Sequence, residues 1–175
     1  KFNFILSISE GYKIMLTLQE MILRLAVAAV LGAIIGLERE LVGKEAGIRT
    51  NILVAAGAAI FTIAGLSLPY LVSLSETHLL EVIARNSGFM SLIANIVVGV
   101  GFLGAGIIFR DEHRVHGLTT AAAVWFAAAI GILSGFGMFV FAAFASIGLS
   151  LILFLLRNFS LIRREERIMR AIHSR

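Results

Sequence analysis

Long runs without a charged residue alternate along this chain with short clusters of mixed charge. Thr50 to Ser75 is free of charge for 26 residues, Asn86 to Phe109 for 24 and Gly117 to Leu156 for 40. A hydrocarbon core about 30 Å thick is crossed by roughly 20 apolar helical residues, so each of the first two runs predicts one membrane-spanning helix. The third run is too long for a single crossing. It carries a glycine-rich break at Ser134-Gly135-Phe136-Gly137, which predicts two helices. The first span is less regular: its charge-free part, Leu25 to Leu37, has only 13 residues and must extend back past Arg24 towards Leu16. The pattern therefore predicts an all-α integral membrane protein with five transmembrane helices, at about 16–37, 50–71, 90–109, 118–134 and 138–156. Residues 1–157 form the transmembrane domain. Within it, HLLEVIAR has apolar residues at roughly helical spacing and predicts a surface helix at about 76–86. Residues 158–175 form a basic cytoplasmic tail whose alternation of charge with Leu161, Ile162, Ile168, Met169 and Ile172 suits an anionic membrane surface.

The positive charges orient these spans. With the N-terminus outside and the C-terminus in the cytoplasm, the inner side collects Arg39, Lys44, Arg49, Arg110, Arg114 and the six arginines from Arg157 onward. The outer side keeps Lys1, Lys13 and Arg85, and Arg24 lies in the membrane. An excess of Lys and Arg in short loops marks the cytoplasmic face. Composition agrees with a lipid-embedded chain: 59% of the 175 residues are hydrophobic and 15% charged, against roughly 45–50% and about 25% in soluble domains. The net charge of +4 follows from that loop asymmetry, and no nucleic-acid partner is expected. There is no cysteine, which excludes disulfides, thiol catalysis and thiolate metal sites. Glu10 and Lys13 interrupt the apolar start and no small-residue cleavage site follows, so no removable signal peptide is expected.

Small residues take over a role that hydrophobicity cannot play between helices in lipid, by letting backbones approach. Gly32/Gly36 and Gly131/Gly135 each have the four-residue spacing of that device. The run GVGFLGAG (Gly99, Gly101, Gly104 and Gly106) is denser and matches G-x-G-x-x-G. It does not suit a dinucleotide, because it lies inside a charge-free membrane run and no acidic residue follows at the ribose-binding distance. Two readings remain: a tight helix crossing, which is preferred, or a broken helix lining a small cavity.

Charges and amides inside a membrane are costly and are candidates for function. Glu20 and Arg24 are spaced i, i+4 and can meet on one face of the first helix, either as a neutralised arginine near the outer interface or as an intramembrane charge pair. At the inner end of the same helix, GLERELVGKEAGIRTN crowds Glu38, Arg39, Glu40, Lys44, Glu45 and Arg49 into 12 residues. Gly43 and Gly47 predict a tight turn there, abutting Thr50 and Asn51. Glu38 ends the apolar stripe, where a carboxylate needs a partner. Asn95, just before the glycine run, must hydrogen-bond across helices if it faces lipid depth. The loop RDEHRVHG offers Asp111, Glu112, His113 and His116 as metal-ligand types, but Arg110 and Arg114 oppose a cation. All four histidines lie outside the spans, so no catalytic constellation is set into the membrane and no enzyme activity is expected.

Four segments in order, LRLAVAAVLGAIIGLERE, GIRTNILVAAGAAIF, IVVGVGFLGAGIIFR and HGLTTAAAVWFAAAIGILSG, resemble the MgtC/SapB family of bacterial inner-membrane proteins from about Leu23 to Gly135. The resemblance implies a multi-pass protein of the bacterial inner membrane, associated with adaptation to low magnesium and with virulence. It gives motif status to Glu38, Arg39, Glu40, Arg49, Thr50, Gly101, Gly104, Gly106, Thr119, Thr120 and Trp125. One member of that family is reported to act on the F-type ATP synthase, and direct magnesium transport has been doubted for the family. Many members carry a further cytoplasmic domain after the last span, where only about 18 residues follow Arg157 here.

The first expectation is a non-enzymatic regulator that binds another membrane complex such as the ATP synthase and self-associates in the bilayer, most simply as a homodimer. No cofactor is required by this reading. The alternative is a transporter or channel for magnesium or another small solute, with Asn95 beside the glycine run and Glu38 and Glu40 at the inner mouth. Against it, magnesium prefers several carboxylates or waters in octahedral array, and no carboxylate lies deep in any span.

Overall fold

The computed structural model describes residues 16–72, 88–112 and 114–173, with side chains placed within 16–71, 91–112 and 114–158. The surface helix expected at about 76–86 lies outside the described residues. Among the described residues five helices follow one another: α1 (Leu18–Leu41), α2 (Ile48–Val72), α3 (Gly88–Ile107), α4 (Leu118–Gly135) and α5 (Phe139–His173). Four of them, α1, α2, α4 and α5, are long and apolar enough to cross a membrane, and α3 adds a shorter apolar stretch, Ser91–Ile107.

Local chemistry sets the helix limits. Thr17 and Glu20 form a reciprocal capping box at the start of α1, with Thr17 N–H donating to Glu20 Oε2 at 2.9 Å and Glu20 N–H donating to Thr17 Oγ1 at 3.3 Å. At the other end α1 runs a turn beyond the expected limit of residue 37, through Glu38-Arg39-Glu40. It stops where Gly43 takes φ +67°. The expected break after α4 falls at residues 136–138: Gly137 takes φ +82°, and the amides of Gly137 and Met138 close on Ser134 O and Leu133 O. Left-handed residues of this kind end helices, and glycine adopts that conformation without a Cβ penalty.

Among the described residues, a departure from an all-helical chain appears around RDEHRVHG, which the sequence predicted as a loop. Phe109–Arg110 (β1) pairs antiparallel with Val115–His116 (β2). Asp111 organises this small hairpin, since its Oδ1 accepts the Arg114 amide at 2.8 Å and its Oδ2 lies 2.8 Å from His116 Nε2. The Phe109 and His116 rings stack at 5.0 Å.

Helices α1, α2 and α4 pack on one another; α3 leans on α2 and α4, and α5 on α1 and α4. The two four-residue glycine pairs make the central packing possible. A Cβ at Gly32 would lie 2.6 Å from the Asn51 carbonyl oxygen, and one at Gly131 would lie 2.1 Å from that of Ala55. Thus α2 is gripped from both sides at the level of Ala55, by α1 through Gly32 and by α4 through Gly131. Around this contact Leu31, Ile35, Ala123, Ala127, Ile130 and Ala142 form the apolar core. Ser146 of α5 donates to the Leu31 carbonyl of α1 at 2.9 Å, an interhelical bond between buried groups.

Candidate functional site

The chain direction brings the polar segments to one end of the bundle. Helix α1 arrives there with Glu38-Arg39-Glu40, α2 leaves from Ile48, α3 ends at the hairpin, and α4 departs from Gly117. At the opposite end α1 begins beside the end of α4, where Arg24 Nη1 donates to Gly135 O at 2.7 Å.

Glu38 and Arg39 are buried, at 8% and 5% exposure. Neighbours in sequence point apart on a helix, yet these two side chains curl together, with Arg39 Nε and Nη2 donating to Glu38 Oε2. A buried carboxylate is tolerated when a cation and further donors satisfy it. Here the second oxygen, Oε1, is buried without a hydrogen-bond partner among the described residues. Glu38 follows Ile35 on the face of α1 that packs against α4, whose own first turn holds the buried Thr120.

Glu40 is exposed and does a structural task. Its Oε2 accepts the amide of Ile48 at 2.9 Å and so caps the start of α2 across the turn. Asn51 completes the turn from inside. It is fully buried, and its Nδ2 donates to the carbonyls of Ala46 (2.6 Å) and Gly47 (2.9 Å), leaving Oδ1 buried and unpartnered. Ala46 takes φ +58°, an uncommon conformation for a side-chain-bearing residue, and the Asn51 clamp holds it. Sequence reasoning put weight on Thr50 and passed over its neighbour. No local pattern marks it, because its burial is made by Gly32 on α1.

The remaining expected residues do not join this cluster. Arg49 is exposed and Thr50 half-buried. Thr119 is exposed on the first turn of α4, while Thr120 is turned inward. Trp125 lies on the outer face of α4 at 46% exposure. Glu20 and Arg24 do not form the ion pair expected from their spacing: Glu20 is taken by the capping box and Arg24 by the Gly135 carbonyl. Helix dipoles account for both, since a carboxylate is favoured at a helix start and a guanidinium at a helix end.

The glycine run behaves differently from the two gripping pairs. Helix α3 passes through it unbroken. Within the described residues only Gly104 faces a neighbour closely, with its Cβ position 3.6 Å from the Ala121 Cβ; Gly99, Gly101 and Gly106 face open space. Even Gly104 is at ordinary van der Waals distance, so among the described residues the run makes no crossing as close as those at Gly32 and Gly131. Asn95 is exposed and makes no hydrogen bond among the described residues. It lies with Gly57, Gly99, Phe61 and Leu103 on an open apolar cleft of about 560 Å³ between α2 and α3. Among the described residues no three His, Asp or Glu side chains come together as a metal site.

Four long apolar helices, three of them packed through glycines, with the charged side chains gathered at the helix ends, define a helical membrane protein. Residues 25–161 match the MgtC family, and the chain belongs to that family. It is 42% identical over 123 residues to Protein MgtC of Brucella abortus (strain 2308), covering 70% of this chain and 45% of that protein. It is 41% identical over 126 residues to Protein MgtC of Salmonella typhimurium (strain 14028s / SGSC 2262), covering 72% and 48%. The chain thus spans about half the length of these relatives. No solved structure matches it.

Proposed function

We propose that this chain is a five-span protein of the bacterial inner membrane, N-terminus outside and C-terminus cytoplasmic, that serves adaptation to low magnesium and virulence as a non-enzymatic regulator of another membrane complex. The observation that carries the regulatory reading is the free face of α3. Asn95 stands on it without a hydrogen-bond partner, beside Gly99 and above the open cleft shared with Gly57. Lipid tails cannot satisfy an amide, whereas a transmembrane helix seated against the glycines brings backbone and side-chain acceptors within reach. The occupant proposed is a helix of a partner complex, the F-type ATP synthase being the one the family resemblance suggests. Self-association as a dimer belongs to the same proposal, and the glycine faces support it.

Affinity capture from native membranes, followed by ATP-driven proton pumping in vesicles, tests this reading. Wild type is expected to retain a membrane partner and alter pumping, and Asn95→Leu and Gly99→Leu to lose both while remaining folded. Absence of a partner and unchanged pumping with wild type would sink it. Mass spectrometry in mild detergent tests the dimer, which a purely monomeric spectrum would oppose.

Transport of magnesium or another small cation is the second reading, and the buried, unpartnered oxygens of Glu38 and Asn51 at one end of the bundle favour it. Proteoliposome flux decides. Flux that is absent, or present but indifferent to Glu38→Gln, removes this alternative.

A further inference from the structure

Helix α4 starts without a side-chain cap. Its N-cap is Gly117 at φ +81°, and no side chain bonds the amides that follow. A Cβ at Gly117 would lie 2.2 Å from the Ile107 carbonyl oxygen, so the seat of α4 on the end of α3 excludes the Ser, Thr, Asp or Asn that ordinarily caps a helix. The Ala121 amide is the first to find an acceptor, Gly117 O at 2.8 Å. The amides of Leu118, Thr119 and Thr120 bond to nothing among the described residues.

These residues border a cavity of about 310 Å³ whose walls also include Lys44, Glu45 and His116. Thr120 provides a separate indication of a ligand. It lines this cavity at only 2% exposure, and its hydroxyl has no hydrogen-bond partner among the described residues. That hydroxyl is not among the sealed polar atoms left without a partner; what little of Thr120 is exposed opens on the cavity, where a partner can sit. Lys44 brings a cation from the α1–α2 turn. His116 is already held by Asp111, and Glu45 puts one carboxylate on the wall.

We propose that this cavity binds a phosphoryl oxyanion. Three free amides at a helix start, two hydroxyls and an ammonium are all donors, and the positive end of the α4 dipole points at the same place. A phosphoryl group accepts several such bonds at once, whereas a cation would meet mainly donors. The group belongs either to a free phosphate compound or to the headgroup of an anionic lipid, since this end of the bundle also carries Arg49, Arg110 and Arg114. Glu45 opposes the ligand and limits its affinity.

The test uses the whole purified chain in detergent, with inorganic phosphate as one probe (calorimetry) and phosphatidylglycerol as the other (retention in native mass spectrometry). Saturable phosphate binding, weakened about tenfold in both Thr120→Val and Lys44→Gln, assigns the site to a free phosphate compound. Retention of phosphatidylglycerol alone, lost in the same variants, assigns it to a lipid headgroup. In either case Glu45→Gln tightens binding severalfold. Thr119→Val, at an exposed position, replaces Thr120→Val if the buried substitution fails to fold. If wild type binds neither probe, or the variants bind as wild type does, the proposal is overturned.

Discussion

Arg24, in the second turn of α1, donates from Nη1 to the carbonyl oxygen of Gly135 at 2.7 Å, across 111 positions of sequence. The bond ties the start of the first helix to the end of the fourth. It uses a carbonyl that lies in the last turn of α4, where intrahelical donors run out, and it places the guanidinium against Gly137, 3.4 Å from that residue's Cβ position.

Removing this tie has a measurable cost. Arg24→Gln is expected to destabilise the protein by about 1.5–3 kcal/mol, the range for a charged hydrogen bond, and Arg24→Lys by less. Glu20→Gln keeps an acceptor for the Thr17 amide and removes only the charge favoured at a helix start, about 0.3–1 kcal/mol. A double-mutant cycle of the two, read by unfolding in mixed micelles, should give a coupling below about 0.5 kcal/mol. Coupling above about 1 kcal/mol would restore the ion pair that the spacing suggests.

Gly131 and Gly99 should respond oppositely to alanine. At Gly131 the new methyl meets the Ala55 backbone, which cannot swing aside, and a loss of about 1–3 kcal/mol is expected. At Gly99 nothing stands in the way, so the isolated chain is expected to hold or to gain up to about 1 kcal/mol from helix propensity. Thermal unfolding of the two variants side by side decides; equal losses would contradict the packing described.

For the buried pair, Arg39→Ala strands the Glu38 carboxylate and is expected to cost about 3–5 kcal/mol. Replacing both residues by apolar ones of similar size, Glu38→Leu with Arg39→Met, should recover most of that loss. The stability of the double variant measured against the single one is the check. A double variant as unstable as Arg39→Ala would mean that the pair is required for more than mutual neutralisation.

Asn51→Asp is close to isosteric yet removes the donor from two carbonyls and sets a carboxylate against them. A loss of about 3 kcal/mol or more follows, with protease cleavage appearing in the Val42–Gly47 turn. Asn51→Ala, which loses the bonds without adding a charge, should cost less. If Asn51→Asp is instead the better tolerated of the two, the clamp on Ala46 and Gly47 is not what holds the turn.

The membrane helices were legible because lipid enforces a length and an absence of charge that can be counted along a chain. The break at Gly135–Gly137 and the turn at Gly43–Gly47 were legible for a related reason, that glycine marks a backbone most other residues avoid. Spacing was a poorer guide wherever several partners compete for one group. Glu20 and Arg24 stand at i, i+4, but a capping box and a free carbonyl claim them first. Asn51 gives no sign in one dimension that its amide is buried, because its burial is made by Gly32 on another helix.

The sequence by itself determined the class of protein, the places where the chain turns and the small faces through which α1 and α4 grip α2. Those properties depend on composition and on residues a turn or two apart. Only the tertiary structure decided how the four glycines of the GVGFLGAG run divide, one against Ala121 and three towards open space. Only it showed Glu38 and Thr120 turning inward while Glu40 and Thr119 turn out. Whether a small or polar residue packs, caps or waits for a ligand depends on what a distant helix places opposite it, and no local pattern encodes that.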